Sequence, residues 1–318
     1  MFPLFGGKRM FENFITVGTQ VLELFILIAL GFLCGKTKIL NDKAVKAITD
    51  IVLYIVCPCV IVQNFIRPFD VGMLSGLLTA AAAALCIHIF SVVIAMLIFH
   101  DRIPEKNRVY RFALIFSNCG YMSLPMQQAV LGSDGVFFGA VYIVIFNVVM
   151  WTFGVWLSSG SGKDVSAKKI LLNPCIIGMA VGVIIFLTSL PVPQIISQPI
   201  SFMANLNTPL PMMVVGYYLS QTKISDAFRD GKGFICVLFR LIVVPVLAFG
   251  GMMLCGIRGN VLITCVISAS APVAAATTMF AAKFDNDAKL SVNLVTLSTL
   301  FSVITMPLIV GFAQTVGQ

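Results

Sequence analysis

Charge is scarce in this sequence. Asp, Glu, Lys and Arg together make up 11% of 318 residues, histidine and tryptophan occur twice each, and 59% of the chain is hydrophobic. The mean hydropathy is +1.00. So little polar surface cannot coat a soluble globule, which leaves an integral membrane protein. Several chemical signatures are missing as well. No G-x-x-x-x-G-K-[ST] string occurs, so a P-loop does not drive this protein by ATP hydrolysis. An intramembrane metalloprotease needs H-E-x-x-H, but His88 and His100 are twelve positions apart and neither is followed by Glu. An aspartyl active site needs two Asp at mid-membrane, and the centres of the apolar runs hold none. The nine cysteines show no metal or redox spacing and read as small packing residues. No enzyme, cofactor or metal centre is expected from these features, and no loop is long enough to be a soluble domain.

What is present is a series of apolar runs of about 20 residues, the length of a membrane-spanning helix rather than of a barrel strand. The fold class is all-α. Ten spans fit, near 14–34, 45–66, 72–99, 109–132, 135–157, 171–190, 195–220, 233–256, 259–282 and 290–314. The net charge of +8 does not point to nucleic acid, because the basic residues are scattered over short loops. Most fall between spans 1 and 2, 3 and 4, 5 and 6, 7 and 8 (Lys223, Arg229, Lys232), and 9 and 10; the opposite side has Lys8, Arg9, Arg67 and Arg258. The positive-inside rule makes those five loops cytoplasmic and puts both termini outside, in a multi-pass protein of the plasma membrane. The first span follows Lys8 and Arg9 like a secretory signal. It contains Glu23 and runs into Gly35-Lys36 without a small-residue cleavage site, so it is expected to be retained.

Residues 161–318 echo residues 1–160. The second span of each part is expected to break at proline, at Pro58 and at Pro209 and Pro211. The fourth does the same, as "SNCGYMSLP" over 117–125 and "ISASAPVAAAT" around Pro272. Five spans per part is an odd number, so the two repeats lie in opposite orientation, the arrangement of secondary transporters whose sites form where broken helices meet. Pro125 and Pro272 remove a backbone donor, and Gly120 eases departure from helical geometry. Unwound backbone survives in a membrane only when it is buried in protein or faces a watery cavity. The amides that begin each second half-helix offer donors and partial positive charge to an anion, especially a carboxylate. Tyr121 lies in the first break, and small polar residues flank both: Asn118 and Ser123, Ser268 and Ser270. A kink that only shapes packing is the competing reading.

At these residues the chain resembles the auxin efflux carrier family of membrane transporters. The resemblance runs through "LIALGFLCGKTKILND" at 27–42, "IVLYIVCPCVIVQNF" at 51–65, "FSNCGYMSLPMQQAVLG" at 116–132, "VYIVIFNVVMWTFGVWL" at 141–157, "NPCIIGMAVG" at 173–182, "TPLPMMVVGYYL" at 208–219, "SASAPVAAATTMFA" at 268–281 and "TLSTLFSVITMPL" at 296–308. It implies two inverted five-span repeats with spans 4 and 9 unwound and crossing. It also implies a scaffold of spans 1, 2, 6 and 7 beside an elevator-like moving domain of spans 3–5 and 8–10. The cargo it implies is a small organic anion, and the binding role carries over to Asn118, Gly120 and Pro125 in the first crossing and Ser270, Ala271 and Pro272 in the second. The long central loop of the plant exporters is missing, so auxin itself is not the expected cargo.

Other polar residues in the spans bear on coupling. Glu23 continues a stripe with Thr16, Thr19 and Gln20, and reads either as a proton-carrying or substrate-facing carboxylate or as a neutral acid bonded between helices. Arg240 is expected to snorkel to the cytoplasmic surface, with holding an anion as the alternative. His88 reads as a core imidazole, and Asn147 as a bond to another helix. Asn64 and Asn207 could line a cavity or cap freed backbone. Asn118, Ser123 and Ser270 could hold Na⁺ in a sodium-coupled alternative; proton coupling through Glu23 or the substrate is another, and an anion channel a further one. The expected partners are a small organic anion and the lipid bilayer, a homodimer being the assembly considered, with no nucleic acid.

Overall fold

The computed structural model describes residues 5–100, 102–221, 228 and 230–317; for residues 5–14, Thr16, Val17, Gln20, Asp164, Lys169 and Ile170 it describes the backbone alone. Lys223 and Arg229, counted above with a cytoplasmic loop, lie outside the described residues. The described chain is helical throughout. Its main helices are α1 (Phe5–Lys36), α2 (Asp42–Phe65), α3 (Val71–Ile98), α4 (Pro104–Ile115), α5 (Cys119–Ser159) and α6 (Pro174–Thr188). They continue as α7 (Gln194–Ala204), α8 (Pro209–Gln221), α9 (Gly231–Leu254), α10 (Gly259–Ser270), α11 (Ala276–Lys283) and α12 (Ala288–Val316). Among the described residues five helices, α2, α3, α5, α9 and α12, are long and apolar enough to cross a membrane, while α6 and α10 are shorter and apolar. The second half of expected span 4 and the whole of span 5 run on as one element, α5, bent at Gly132. There φ is 65° and ψ −151°, a region in which a Cβ would clash, so only glycine makes the bend without strain.

Proline acts on this chain in two ways. At Pro58, Pro125 and Pro245 a π-helical turn lies just before the ring, over Val52–Val56, Cys119–Ser123 and Phe239–Val243. Proline lacks the N–H that would bond four residues back, and a wider turn accommodates that loss without ending the helix. Span 2 is therefore continuous through Pro58, where the sequence led us to expect an unwound break. Before Pro209 the chain instead tightens into a 3₁₀ turn, Asn205–Asn207, between α7 and α8.

The breaks near residues 117 and 272 are different in kind. α4 ends at Ile115, Phe116 is extended (φ −101°, ψ 111°), and helix resumes at Cys119. α10 ends at Ser270, Ala271 is extended (φ −62°, ψ 149°), and helix resumes at Ala276. The two extended pieces cross and pair: the Asn118 N–H donates to the Pro272 carbonyl at 2.7 Å and the Ala274 N–H donates to the Phe116 carbonyl at 3.0 Å. Each break supplies the other with partners for its released backbone groups, and both are buried.

Two helix pairs pack backbone to backbone beside this crossing. α1 lies against α8, where a Cβ on Gly31 would overlap the Met213 carbonyl and one on Gly216 would overlap the Ile28 carbonyl. Small residues admit such an approach, the usual means of close association between helices in lipid. α2 lies against α6, with Gly178 on Pro58 and Gly182 on Phe65. By contrast, where α1 and α8 meet the crossing the contact is made of flexible side chains: Val21, Leu24, Ile28, Met212 and Val215 pack on Met122, Met126, Ile267, Met306 and Val310. Methionine is unbranched and adapts to many packings, so this contact is softer than the glycine seams.

Candidate functional site

A cavity of about 580 Å³ opens on one side of the crossing. Asn118, Gly120 and Tyr121 line it from the first break, and Ala274, Ala275 and Ala276 from the second. Neither helix start has a side-chain cap. An uncapped N-terminus leaves amides without carbonyl partners and carries partial positive charge, so the starts of α5 and α11 present two sets of donors to one space. The side-chain amide of Asn118 has no hydrogen-bond partner among the described residues, although the residue is buried at 6% exposure. Tyr54, Tyr218 and Trp151 add apolar walls with polar tips, and Phe146 adds a purely apolar one. Lys168 and Lys283 stand at the rim, and among the described residues no Asp or Glu lines the space. Lys283 is placed by aromatic faces, 5.6 Å from the Trp151 ring centre and 5.5 Å from that of Phe284.

A second cavity, of about 820 Å³, lies on the other side. Pro125, Gln128, Asn64, Gln63, Asn205, Asn207 and Thr208 line it. Arg67 and Asp134 stand across it as an ion pair of 2.8 Å. The Arg67 guanidinium also lies 4.8 Å from the Phe137 ring centre, and its Nε donates to the Asn64 carbonyl at 3.0 Å. The Asn207 Oδ1 is buried and without a partner.

The residues picked from the sequence are thus divided. Asn118, Gly120, Tyr121 and Asn147 line the first cavity; Pro125, Asn64 and Asn207 line the second. Ser123, Ser268 and Ser270 line neither cavity and are packed behind the crossing, while Ala271 and Pro272 belong to the crossing itself and also line neither. Ser123 and Ser270 donate to the same carbonyl, that of Ile267, at 3.4 and 3.0 Å, while Ser268 accepts from the Gln127 Nε2 at 2.8 Å. Asn147 bonds across to another helix by accepting the Asn173 Nδ2–H at 3.2 Å, while the Asn173 Oδ1 caps α6 by accepting the Cys175 N–H at 2.9 Å. His88 is a core imidazole, 2.7 Å from the Ala84 carbonyl and against Tyr142, Phe116 and Phe146.

Two expectations need correction. Arg240 does not snorkel: it is 1% exposed and reaches inward, where the carbonyls at the ends of α4 and α10 accept its guanidinium N–H groups. Glu23 faces neither cavity; it is exposed on the outer face of α1 with Leu22 and Ile26. α1 packs on α8 and α12 through Val21, Leu24 and Ile28 instead, and the Thr16 and Gln20 side chains of the expected stripe lie outside the described ones.

Sequence reasoning missed two residues that serve the crossing. The Ser298 Oγ on α12 accepts the Val273 N–H at 3.1 Å, and Gln127 on α5 donates to the Thr264 carbonyl at 3.2 Å as well as to Ser268. Both lie in regular apolar helix, where one polar side chain gives no cue to its partner. Cys57 and Cys175 also meet on the cavity wall, their sulfurs 3.2 Å apart, although nothing in their spacing brings them together.

Cavities on both sides of paired, interrupted apolar helices define a membrane transporter as a class. The comparisons agree: a family model described as membrane transport protein matches residues 16–169 and 163–310. The chain belongs to this family, which is that of the auxin efflux carriers. An uncharacterised transporter of Methanothermobacter thermautotrophicus is 23% identical over 292 residues, 91% of this chain and 95% of that protein. An uncharacterised transporter of Methanocaldococcus jannaschii is 25% identical over 301 residues, again 91% of this chain and 96% of that protein.

Proposed function

We propose that this protein is a secondary carrier of small organic anions, carboxylates in particular, working by alternating access in the plasma membrane. The observation that carries the reading is the first cavity: two helix N-termini, a free amide at Asn118 and two lysines converge on a space that no acidic side chain lines among the described residues. A carboxylate placed there gains charge-assisted bonds from peptide N–H groups, each stronger than a neutral one. The apolar walls suit a small organic body attached to that carboxylate.

In this reading the chain forms two inverted five-span repeats. The glycine-seamed pairs α1 with α8 and α2 with α6 act as a scaffold, and the crossing with α3, α5, α9, α10, α11 and α12 slides against it as an elevator. The lysine-rimmed cavity faces the cytoplasm, since Lys168 and Lys283 belong to loops of the basic side. The methionine contact between scaffold and crossing supports sliding, because such side chains repack at small cost. Counterflow of radiolabelled acetate, malonate, succinate and indole acetate in proteoliposomes tests the proposal, with Na⁺ and a pH gradient as separate arms. Saturable exchange of at least one of these is expected; exchange of none, or ion currents far above carrier turnover, would remove it.

A further inference from the structure

Arg240 has no role in the account so far, yet it is the largest fully buried side chain. It projects from the π-helical turn Phe239–Val243 of α9. Its Nη1 donates to the Leu114 carbonyl at 2.8 Å and the Ile115 carbonyl at 3.3 Å, and its Nη2 donates to the Ala269 carbonyl. Its Nε has no partner, and no described acidic side chain lies within ion-pair distance, 4.0 Å. Those carbonyls end α4 and α10, the first halves of both interrupted spans. Helix C-termini carry partial negative charge and unbonded carbonyls, so a cation there is well placed, and the planar fork of arginine reaches two ends at once.

Partial charges do not neutralise a whole one. Removing an ion from water carries a large penalty that carbonyl dipoles offset in part, and in the described structure no fixed anion offsets the rest. On the far side of the crossing the starts of α5 and α11 add further positive potential, and among the described residues no carboxylate lines the cavity they face. Among those residues the core of the crossing thus holds a cation without a fixed anion, and the Ile115 carbonyl that it binds lies three positions before Asn118 on the cavity wall.

We propose that Arg240 is the positioning residue of the crossing: it clamps the C-termini of α4 and α10 together and supplies the fixed positive charge whose counter-ion is the bound anion. The clamp stands on geometry alone; the counter-ion role rests on the carrier reading given above. Two measurements on Arg240→Lys and Arg240→Gln in nanodiscs and proteoliposomes separate them. Hydrogen exchange over 114–122 and 268–276 should accelerate at least about tenfold in both segments together in the Gln variant, as charged hydrogen bonds are lost. It should accelerate less in Lys, which keeps the charge and loses the fork. Unchanged exchange in both variants would overturn the clamp.

In counterflow of the four carboxylates named above, Lys should hold KM within about threefold of wild type and Gln should raise it about tenfold or more, as expected for loss of a close charge. A Gln variant with wild-type KM would overturn the counter-ion role. A wild-type protein that moves none of the four overturns the carrier reading and the counter-ion role with it, while exchange still decides the clamp. Should Gln fail to fold, Lys carries the comparison: faster exchange with preserved KM is expected, and slow exchange with a raised KM would refute both parts.

Discussion

Asn118 is where local and distant structure meet. Its backbone N–H is spent on Pro272 and its carbonyl accepts the Met122 N–H at 3.0 Å, so its side chain is left to face the cavity. Loss of a hydrogen bond to a charged group costs about 1.5–3 kcal/mol, or roughly 10- to 150-fold in affinity. Asn118→Ala should therefore weaken anion uptake by at least about tenfold while melting stays near wild type, which counterflow and a thermal shift assay would check together. An unaltered KM would remove Asn118 from the site. That residue was legible from its place beside Gly120 and Pro125. Arg240 was legible as an oddity but not as a clamp, because its partners are peptide carbonyls 126 and 29 positions away, and carbonyls have no signature in a sequence.

At the scale of elements, the two breaks could be read in advance because proline and glycine act locally, whereas the outcome at Pro58 could not. Whether a proline unwinds a helix or is absorbed by a wider turn depends on what stands ready to bond the freed carbonyl, and that is a tertiary matter. At Pro272 a partner stands ready, since its carbonyl receives Asn118. Pro272→Ala should let α10 extend toward Val273, break the pairing with 116–118 and abolish uptake in a protein that still folds; wild-type rates would refute this. The glycine seam between α1 and α8 gives a contrasting expectation. Gly216→Leu puts a side chain where the Ile28 carbonyl now lies, and overpacking of this kind costs about 1–3 kcal/mol. The variant should melt several degrees lower, and the defect should appear in stability before it appears in KM.

For the whole molecule, the sequence made the membrane class and the serial order of apolar segments plain, because hydropathy is a sum over neighbours. It did not show which segments touch, since seams such as Gly31 on Met213 arise from shape. Motion of one body past the other can be tested at the mouth of the larger cavity. Arg67 closes α2 and Asp134 follows the bend of α5, so in the proposed elevator their ion pair joins scaffold to moving part. Being partly exposed, the pair contributes at most about 1 kcal/mol and cannot lock the protein by itself. A short bis-maleimide between Arg67→Cys and Asp134→Cys, with the exposed Cys86 and Cys255 replaced, should stop counterflow, whereas each single variant labelled with a monofunctional maleimide should retain it. Full activity in the cross-linked protein would mean that these helices do not separate during transport.

The backbone pairing of Ser117 with Val273 has a consequence for how damage should spread. Two stretches of chain more than 150 residues apart share hydrogen bonds as neighbouring rungs do, so a strain applied to one is carried at once by the other. Lesions in either stretch ought to produce the same functional signature, as if a single short strand had been cut.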